Sequence, residues 1–295
     1  MARVIAVFGP TASGKSAAAL ALAVGLGGEI VNCDAMQLYA GLPVLTNQPA
    51  ASELAQVRHH LVGVWPLSHE GSVAEYGRLA RDAIADIQHR GRDAIVVGGS
   101  GLYLRAALAP LDLPPQPRDG ARERFQRLYD EDGADAAHAL LQRRDPAAAA
   151  AVHRNDRRRV VRALELAEMG ATLAPSASAL WHPPGADTVM LGLEVPADEV
   201  RQRIALRTRE MFERGVEQEV RDALAAGPLS RTAARIHGLQ DVTALLAGEI
   251  DRAETIRRLE LRTRQYAKRQ RVWMRRLPGL RPVPEKAPLL SLVAS

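Results

Sequence analysis

The chain has 295 residues, enough for one large domain or for a domain carrying a substantial insertion. Hydrophobic residues at 47% and charged residues at 25% are globular proportions, and the single cysteine, Cys33, excludes an internal disulfide framework and a cysteine-rich metal centre. The net charge of +5 is unevenly spread: Arg252 to Arg281 holds eleven Lys/Arg against two Glu, and His153 to Arg162 five Arg against one Asp, the footprint of a polyanion such as nucleic acid or of solvated helix faces.

Residues 3–8, RVIAVF, predict a short buried strand, and GPTASGKS follows at once. This is the G-x-x-x-x-G-K-S phosphate-loop pattern, made of Gly9, Pro10, Thr11, Ala12, Ser13, Gly14, Lys15 and Ser16. Its glycines let backbone N–H groups face an anion at a helix N-terminus, Lys15 supplies a point charge, and Ser16 a hydroxyl for Mg²⁺. A nucleoside triphosphate is the usual ligand; a chance glycine turn is the plain alternative. An Ala-rich helix is expected from about Lys15, then a second strand, Glu29 to Cys33, ending at Asp34. Asp34 falls at the carboxyl edge where α/β sheets bind ligands, facing the same crevice as Lys15. A carboxylate there can take a proton from a nucleophile, or simply cap the next helix.

Val73, Tyr76, Ala80, Ile84 and Ile87 recur at helical spacing and predict an amphipathic helix over about 72–90. A third strand, Ala94 to Val97, runs into GGSG and a further helix; it lacks the carboxylate that ends the corresponding strand of P-loop NTPases. The glycine turn either holds backbone or a hydroxyl near a ligand or is only a tight connection. Pro110 to Gly120 reads as a linker, 121 to about 170 as all-helical, 170–187 as loop, and 188–195 as a strand returning to the sheet. The remainder reads as mostly helical. The fold class expected is α/β: a P-loop NTPase-like parallel sheet core (1–114 and 188–295, with a helical C-terminal part) and an inserted all-helical domain (115–187).

Arg203 and Arg207 lie four apart on one helix face and could hold a pyrophosphate or face solvent. Arg264 to Arg276 interleaves Tyr266 and Trp273 with basic side chains, which suits phosphate clamping and base stacking, or else core anchors between solvated charges. His59, His60 and His153 form no clustered ligand set for zinc. The N-terminal apolar run is too short for a signal-peptide core, and Ala17 to Gly28 too short to span a bilayer, so a soluble cytoplasmic protein without membrane attachment is expected.

Together GPTASGKS, DAMQLY, the paired His59 and His60, VGGSGLYLRA, HRNDRRRVVRALE, RIALR and AKRQRVWMR occur in an order that resembles the tRNA dimethylallyltransferase (isopentenyl-tRNA transferase) family, from Gly9 to Arg275. The resemblance implies that the phosphate loop holds dimethylallyl diphosphate rather than ATP, and that the dimethylallyl group passes to N6 of adenosine 37 beside the tRNA anticodon. It implies Asp34 as general base, Thr11 and Arg207 flanking the diphosphate, and Lys15, Ser16 and Mg²⁺ neutralising it, in an enzyme expected to be monomeric. Contacts to tRNA carry over to Asp34, Ala35, Met36 and Gln37; to Ser100 and Arg122; to Arg158, Arg159, Val160, Val161 and Arg162; to Arg235, Ile236, His237, Gly238, Leu239 and Gln240; and to Lys268, Arg269, Gln270, Arg271, Val272, Trp273, Met274 and Arg275.

Several positions depart from the family pattern. Ala35 stands where Ser is common, Gln48 where Lys is usual, Arg158 where Gln is common, and Leu239 and Gln240 replace an aromatic and a charge. Two alternatives are a P-loop small-molecule kinase and a non-catalytic RNA-binding protein with a relict phosphate loop. The missing carboxylate after the third strand and the basic C-terminal tract count against the first; the intact Asp34 and Arg207 count against the second.

Overall fold

The computed structural model describes residues 2–111, 118, 120–173, 185 and 187–294. Strand β1 (Val4–Phe8) is apolar and buried at every position, as a strand covered on both faces requires. Helix α1 (Lys15–Leu26) starts after the left-handed Gly14 and stops at the left-handed Gly27, whose N–H meets the carbonyls of Ala23 and Val24. Next come β2 (Glu29–Asn32), the short helices α2 (Pro43–Thr46) and α3 (Ala51–Gln56), and the two-residue β3 (His59–His60). The expected amphipathic helix is α4 (Val73–His89). Ser72 caps it by accepting from the Glu75 N–H, and Tyr76, Ala80, Ile84 and Ile87 are buried. Strand β4 (Ala94–Gly98) leads into α5 (Gly101–Leu108).

Four helices follow: α6 (Ala121–Glu131), α7 (Gly133–Arg144), α8 (Pro146–Ala151) and α9 (Arg157–Glu168). The chain then forms β5 (Thr188–Glu194), α10 (Ala197–Glu213), α11 (Val216–Ala225), a 3₁₀ turn at Ala233–Arg235, α12 (Leu239–Leu246), α13 (Arg252–Arg276), β6 (Leu280–Pro284) and α14 (Leu289–Ala294). The strands make one six-stranded sheet in the order β3-β2-β4-β1-β5-β6, every pair parallel. Its core includes Ile5, Val7, Ile30, Ile95, Leu191 and Val283, covered on one side by Leu22 of α1 and by Leu289 and Val293 of α14. From β1 the chain first winds towards β2 and later returns on the other side as β5, so the loop after β1 emerges where the winding reverses. Open α/β sheets bind ligands at that place.

The sequence reading has no strand after 195, yet β6 pairs with β5 over Leu280 to Pro284. Its Pro282 and Pro284 hide the strand in the sequence, and they are tolerated because an edge strand needs a ladder on one side only. The expected linker at Pro110 to Gly120 and loop at 170–187 fall largely outside the described residues.

The chain forms two compact units, one of Met1–Pro110 with His182–Ser295 and one of Leu111–Trp181. The second has its own core, with Phe125, Leu141, Val160 and Leu164 at its centre. Beside that core Glu165 has a fully buried side chain. Arg122 donates to it through Nε at 2.8 Å and Arg162 through Nη1 at 2.9 Å. Replacing Glu165 by Gln removes the charge these guanidiniums share. Unfolding free energy of this unit should fall by about 1–3 kcal/mol. Amide exchange should quicken in α6 and α9 and hold steady in β1 and β4; unchanged protection in α6 and α9 would mean the buried carboxylate adds nothing net.

Candidate active site at the carboxyl edge of the sheet

A cavity of about 220 Å³ opens where β1, β2 and β4 end. Its floor is the phosphate loop. Ala12 and Gly14 both take left-handed backbone, with φ of 62° and 77°, which bends the loop back on itself. The Ser13 N–H donates to the Pro10 carbonyl at 3.2 Å, and Lys15 Nζ reaches that carbonyl at 3.3 Å. Helix α1 begins with neither an acidic residue in its first turn nor a side-chain cap, so its N-terminus offers N–H groups and positive dipole to an anion. Ser13 Oγ is buried without a hydrogen-bond partner and lines the cavity. An orphaned hydroxyl in an anion cradle is a donor in want of an acceptor.

Two cations flank the loop. Lys15 is lowered to about 8, chiefly by burial; Arg207 pushes it further down, while Asp34 and Cys33 pull it up. Arg207 is likewise lowered by burial, against a raising influence from Asp34. Its Nη2 donates to Thr11 Oγ1 at 2.8 Å, fixing the guanidinium at the cradle's rim. Burying two cations beside one another is unfavourable until an anion joins them.

Asp34 lines the same cavity. Its N–H donates to Asn32 Oδ1 at 2.9 Å, while Asn32 Nδ2 donates to the carbonyls of Asp34 at 3.1 Å and Leu61 at 2.8 Å. The Asn32 amide thus clamps the peptide that carries the carboxylate. Asp34 Oδ1 accepts from the Met36 N–H at 3.0 Å, so it closes a turn rather than capping a helix. On the adjoining wall Leu45 is set by Glu219, whose carboxylate accepts from the Val44 and Leu45 N–H groups at the start of α2. His237, Thr263 and Tyr266 form another wall. His237 stacks on Tyr266 with ring centroids 6.0 Å apart, and its Nε2 lies 3.0 Å from Thr263 Oγ1. Burial, then the nearby Arg262, Arg269 and Arg207, lower His237 to about 4, so it is neutral at ordinary pH.

The turn after β4 is held by protein. Gln270, on α13, accepts the Thr11 N–H at 2.7 Å and donates to the Gly99 carbonyl at 3.0 Å. A Cβ on Gly99 would stand 2.0 Å from Gln270 Nε2, so this contact requires glycine. Gln270, expected as an RNA contact from its place in a basic run, is here a buried bridge between two backbone segments. Val160 and Val161 are core residues of the helical unit, and Ile236, Leu239 and Met274 are also buried. In α9 and α13 helical periodicity turns Val160, Val161, Gln270 and Met274 inward while Arg158, Arg159, Lys268, Arg269 and Arg275 stay exposed, as does Gln240 in α12. Arg235 is also exposed, and Gly238 sits at the N-terminus of α12 with φ of 89°.

Arg203, expected at the diphosphate, sits apart. It does not line the cavity; its guanidinium is bound by Glu199 and Glu285. Ser100 Oγ meets the Tyr266 hydroxyl at 3.1 Å, and Arg271 donates to the Val195 carbonyl. Trp273 packs over Gly101, and Val272 is half-buried. Ala35, Met36 and Gln37 are half-buried, the last two lining the cavity; Gln37 Nε2 donates to the Asn47 carbonyl at 2.6 Å. Gln48 donates to the Tyr39 carbonyl at 2.7 Å, a loop-stitching contact a lysine would also reach but with charge. His60 pairs with Glu29 at 2.7 Å; this carboxylate is held down to about 2, first by Arg90. No group of three His, Cys, Asp or Glu among the described residues could hold a metal ion.

The Gln270 bridge is open to test. Gln270→Leu keeps the volume and orphans a buried N–H and a buried carbonyl, and should lower the unfolding free energy by about 2–4 kcal/mol. Urea unfolding reads this directly, and an unshifted midpoint would show that the two backbone groups find other partners.

Known proteins resemble this chain in sequence and fold. The family described as IPP transferase matches residues 37–277. The tRNA dimethylallyltransferase of Salinispora arenicola is 44% identical over 94% of this chain and 81% of its own length. That of Streptomyces coelicolor is 45% identical over 94% and 88%. Among solved structures, the full-length tRNA isopentenylpyrophosphate transferase of Bacillus halodurans superposes with a TM-score of 0.70 at 31% identity, covering 97% of this chain and 90% of that one. A eukaryotic dimethylallyltransferase acting on tRNA gives a TM-score of 0.75 at 26% identity, over 97% and 74%. A phosphate loop faced by Asp34 and Arg207, on a parallel sheet shared with these enzymes, leaves one conclusion: the chain belongs to the tRNA dimethylallyltransferase family.

Proposed function

We propose that this chain transfers the dimethylallyl group of dimethylallyl diphosphate to N6 of adenosine 37 in tRNA, releasing diphosphate. The observation that carries the reading is a single cavity that joins a phosphate cradle and two cations to one carboxylate, Asp34. The end of β4 at Gly98 supports it as well, since a nucleoside-triphosphate enzyme needs a metal-supporting carboxylate there.

The chemistry needs two things. The allylic C1–O bond breaks as charge builds on the departing diphosphate, and Lys15, Arg207, Ser13 and the N–H groups of α1 receive that charge. The N6 lone pair forms the new bond to C1, and the proton N6 then sheds passes to the Asp34 carboxylate. Water is kept from the allylic carbon by Leu45, His237 and Tyr266, a wall that is neutral at ordinary pH.

Mg²⁺ fits the donors present. Ser16 lines the cavity with its hydroxyl exposed, an oxygen donor suited to a hard ion held mainly by ligand phosphate and water. Mg²⁺ bound there would offset the negative charge of the diphosphate.

For tRNA, the exposed Arg158, Arg159, Arg235, Lys268, Arg269 and Arg275 supply phosphate contacts, and the target base leaves its stack to enter the cavity. A hollow of about 560 Å³ behind the loop, lined by Pro10, Val195, Lys268, Arg271 and Arg275, extends the basic surface. Among the described residues no helix is long and apolar enough to cross a membrane. A cytoplasmic monomer completes the proposal.

Incubation with tRNA and dimethylallyl diphosphate, followed by mass analysis of the nucleosides, should give N6-dimethylallyladenosine; ATP consumption without that product would favour a kinase. In single turnover with both substrates saturating, Asp34→Asn should slow transfer by about 10²–10⁴-fold with diphosphate binding retained, and a near-normal rate would remove Asp34 as the base.

Diphosphate binding should also be proton-linked. An anion beside Lys15 favours the charged amine, whose value of about 8 in the free protein then rises. Below that pH the amine is already charged. Above it binding takes up a proton, so affinity weakens as pH climbs past about 8. Calorimetry in buffers of different ionisation enthalpy should detect the uptake in the parent and not in Lys15→Arg; equal uptake would assign it to another group.

A further inference from the structure

Arg203 holds a position that its expected ligand role does not explain. Its Nη2 donates to Glu285 Oε2 at 2.7 Å and also to Glu199, while Nη1 donates to Glu285 Oε1 and reaches the Ala12 carbonyl at 3.3 Å. Ala12 is the non-glycine residue of the phosphate loop with φ of 62°, a conformation that costs roughly 1 kcal/mol for a side-chain-bearing residue. On the same side, a Cβ added to Gly14 would lie 2.6 Å from Glu285 Oε1. The Glu285 carboxylate therefore abuts the loop at its second left-handed residue. Neither Arg203 nor Glu285 lines the cavity. Glu285 is itself anchored by the sheet: it directly follows β6, and its N–H donates to the Glu194 carbonyl at the end of β5.

A carboxylate beside an anion cradle is electrostatically unfavourable for binding. Its presence calls for a compensating service, and the geometry supplies one. We propose that Glu285 and Arg203 form a clasp that holds the phosphate loop from behind in its anion-receiving shape, Arg203 through the Ala12 carbonyl and Glu285 through contact at Gly14. Both are positioning residues. The inference rests on the proposed diphosphate reading of the cavity and adds a determinant outside it. Glu199 helps to orient Arg203, and Arg207 one turn further along α10 touches the ligand side through Thr11.

The two accounts of Glu285 differ in sign. If it is only a nearby negative charge, Glu285→Gln and Glu285→Ala tighten binding of inorganic diphosphate. If it is half of a clasp, both weaken it, Glu285→Ala by roughly tenfold, as loss of a charge-assisted pair implies. Glu285→Asp, which keeps the charge on a shorter stem, should fall between parent and Glu285→Ala. Arg203→Gln should weaken binding similarly, and adding Glu285→Gln to it should cost little more, because one clasp is broken once.

Calorimetry with inorganic diphosphate reads these affinities, with thermal melts confirming that each variant is folded. In turnover the variants should raise KM for dimethylallyl diphosphate and leave KM for tRNA unchanged. Tighter or unchanged binding in the folded Glu285 variants overturns the clasp. Fully additive losses also overturn it, since Arg203 would then act on the ligand independently. A parent that binds no diphosphate overturns the reading of the cavity and the clasp with it, whereas a binding parent with indifferent Glu285 variants overturns the clasp alone.

Discussion

One side-chain amide fixes the site. Gln270 takes the Thr11 N–H and gives to the Gly99 carbonyl, so a residue on α13 ties the loop after β1 to the turn after β4. Backbone groups turned towards a ligand cannot also be satisfied within helix or strand, and a loop that presents them needs anchors elsewhere. Gln270 anchors the loop at its start and Arg203 at Ala12, while α1 closes it from Lys15 onwards. Because α13 also carries Thr263 and Tyr266, the amide sets the cavity wall in register with the cradle.

The electrostatics follow from enclosure. Lys15 and Arg207 are both depressed by burial, and the carboxylate that lines the cavity with them is Asp34. Such a site prefers a multiply charged anion to water. His237 contributes by staying neutral: surrounded by Arg262, Arg269 and Arg207, it adds polar surface without another positive charge. A carbon centre that becomes cationic during reaction is better placed beside a neutral ring than beside an imidazolium.

Much of this was legible in the chain itself. The strand before Gly9, the helix after Gly14, the amphipathic stripe of α4 and the parallel sheet all follow from spacing, because local pattern and global packing agree there. Asp34 was legible because a polar residue after a buried strand lands at the sheet edge. The bridging role of Gln270 was hidden among basic neighbours, although a signal existed: Thr263, Ala267, Gln270 and Met274 share the buried stripe of α13, and an amide in such a stripe must be satisfied. The partner of Arg203 was hidden because Glu285 lies 82 positions away. Strand β6 was hidden because prolines argue against strands until the edge position is known.

The sheet order has a consequence for how the chain is made. Strand β1 leaves the ribosome long before its neighbour β5, which begins only at Thr188, and the Gln270 that grips Thr11 is 259 positions behind its partner. At about 5–20 residues per second that interval is roughly 13–50 s. The four helices α6 to α9, whose core contacts are local in sequence, have the means to settle first. The nascent phosphate loop meanwhile lacks the helix that shapes it. Anion affinity is thus a property of the finished polypeptide, and a prematurely terminated chain carries the motif without the grip.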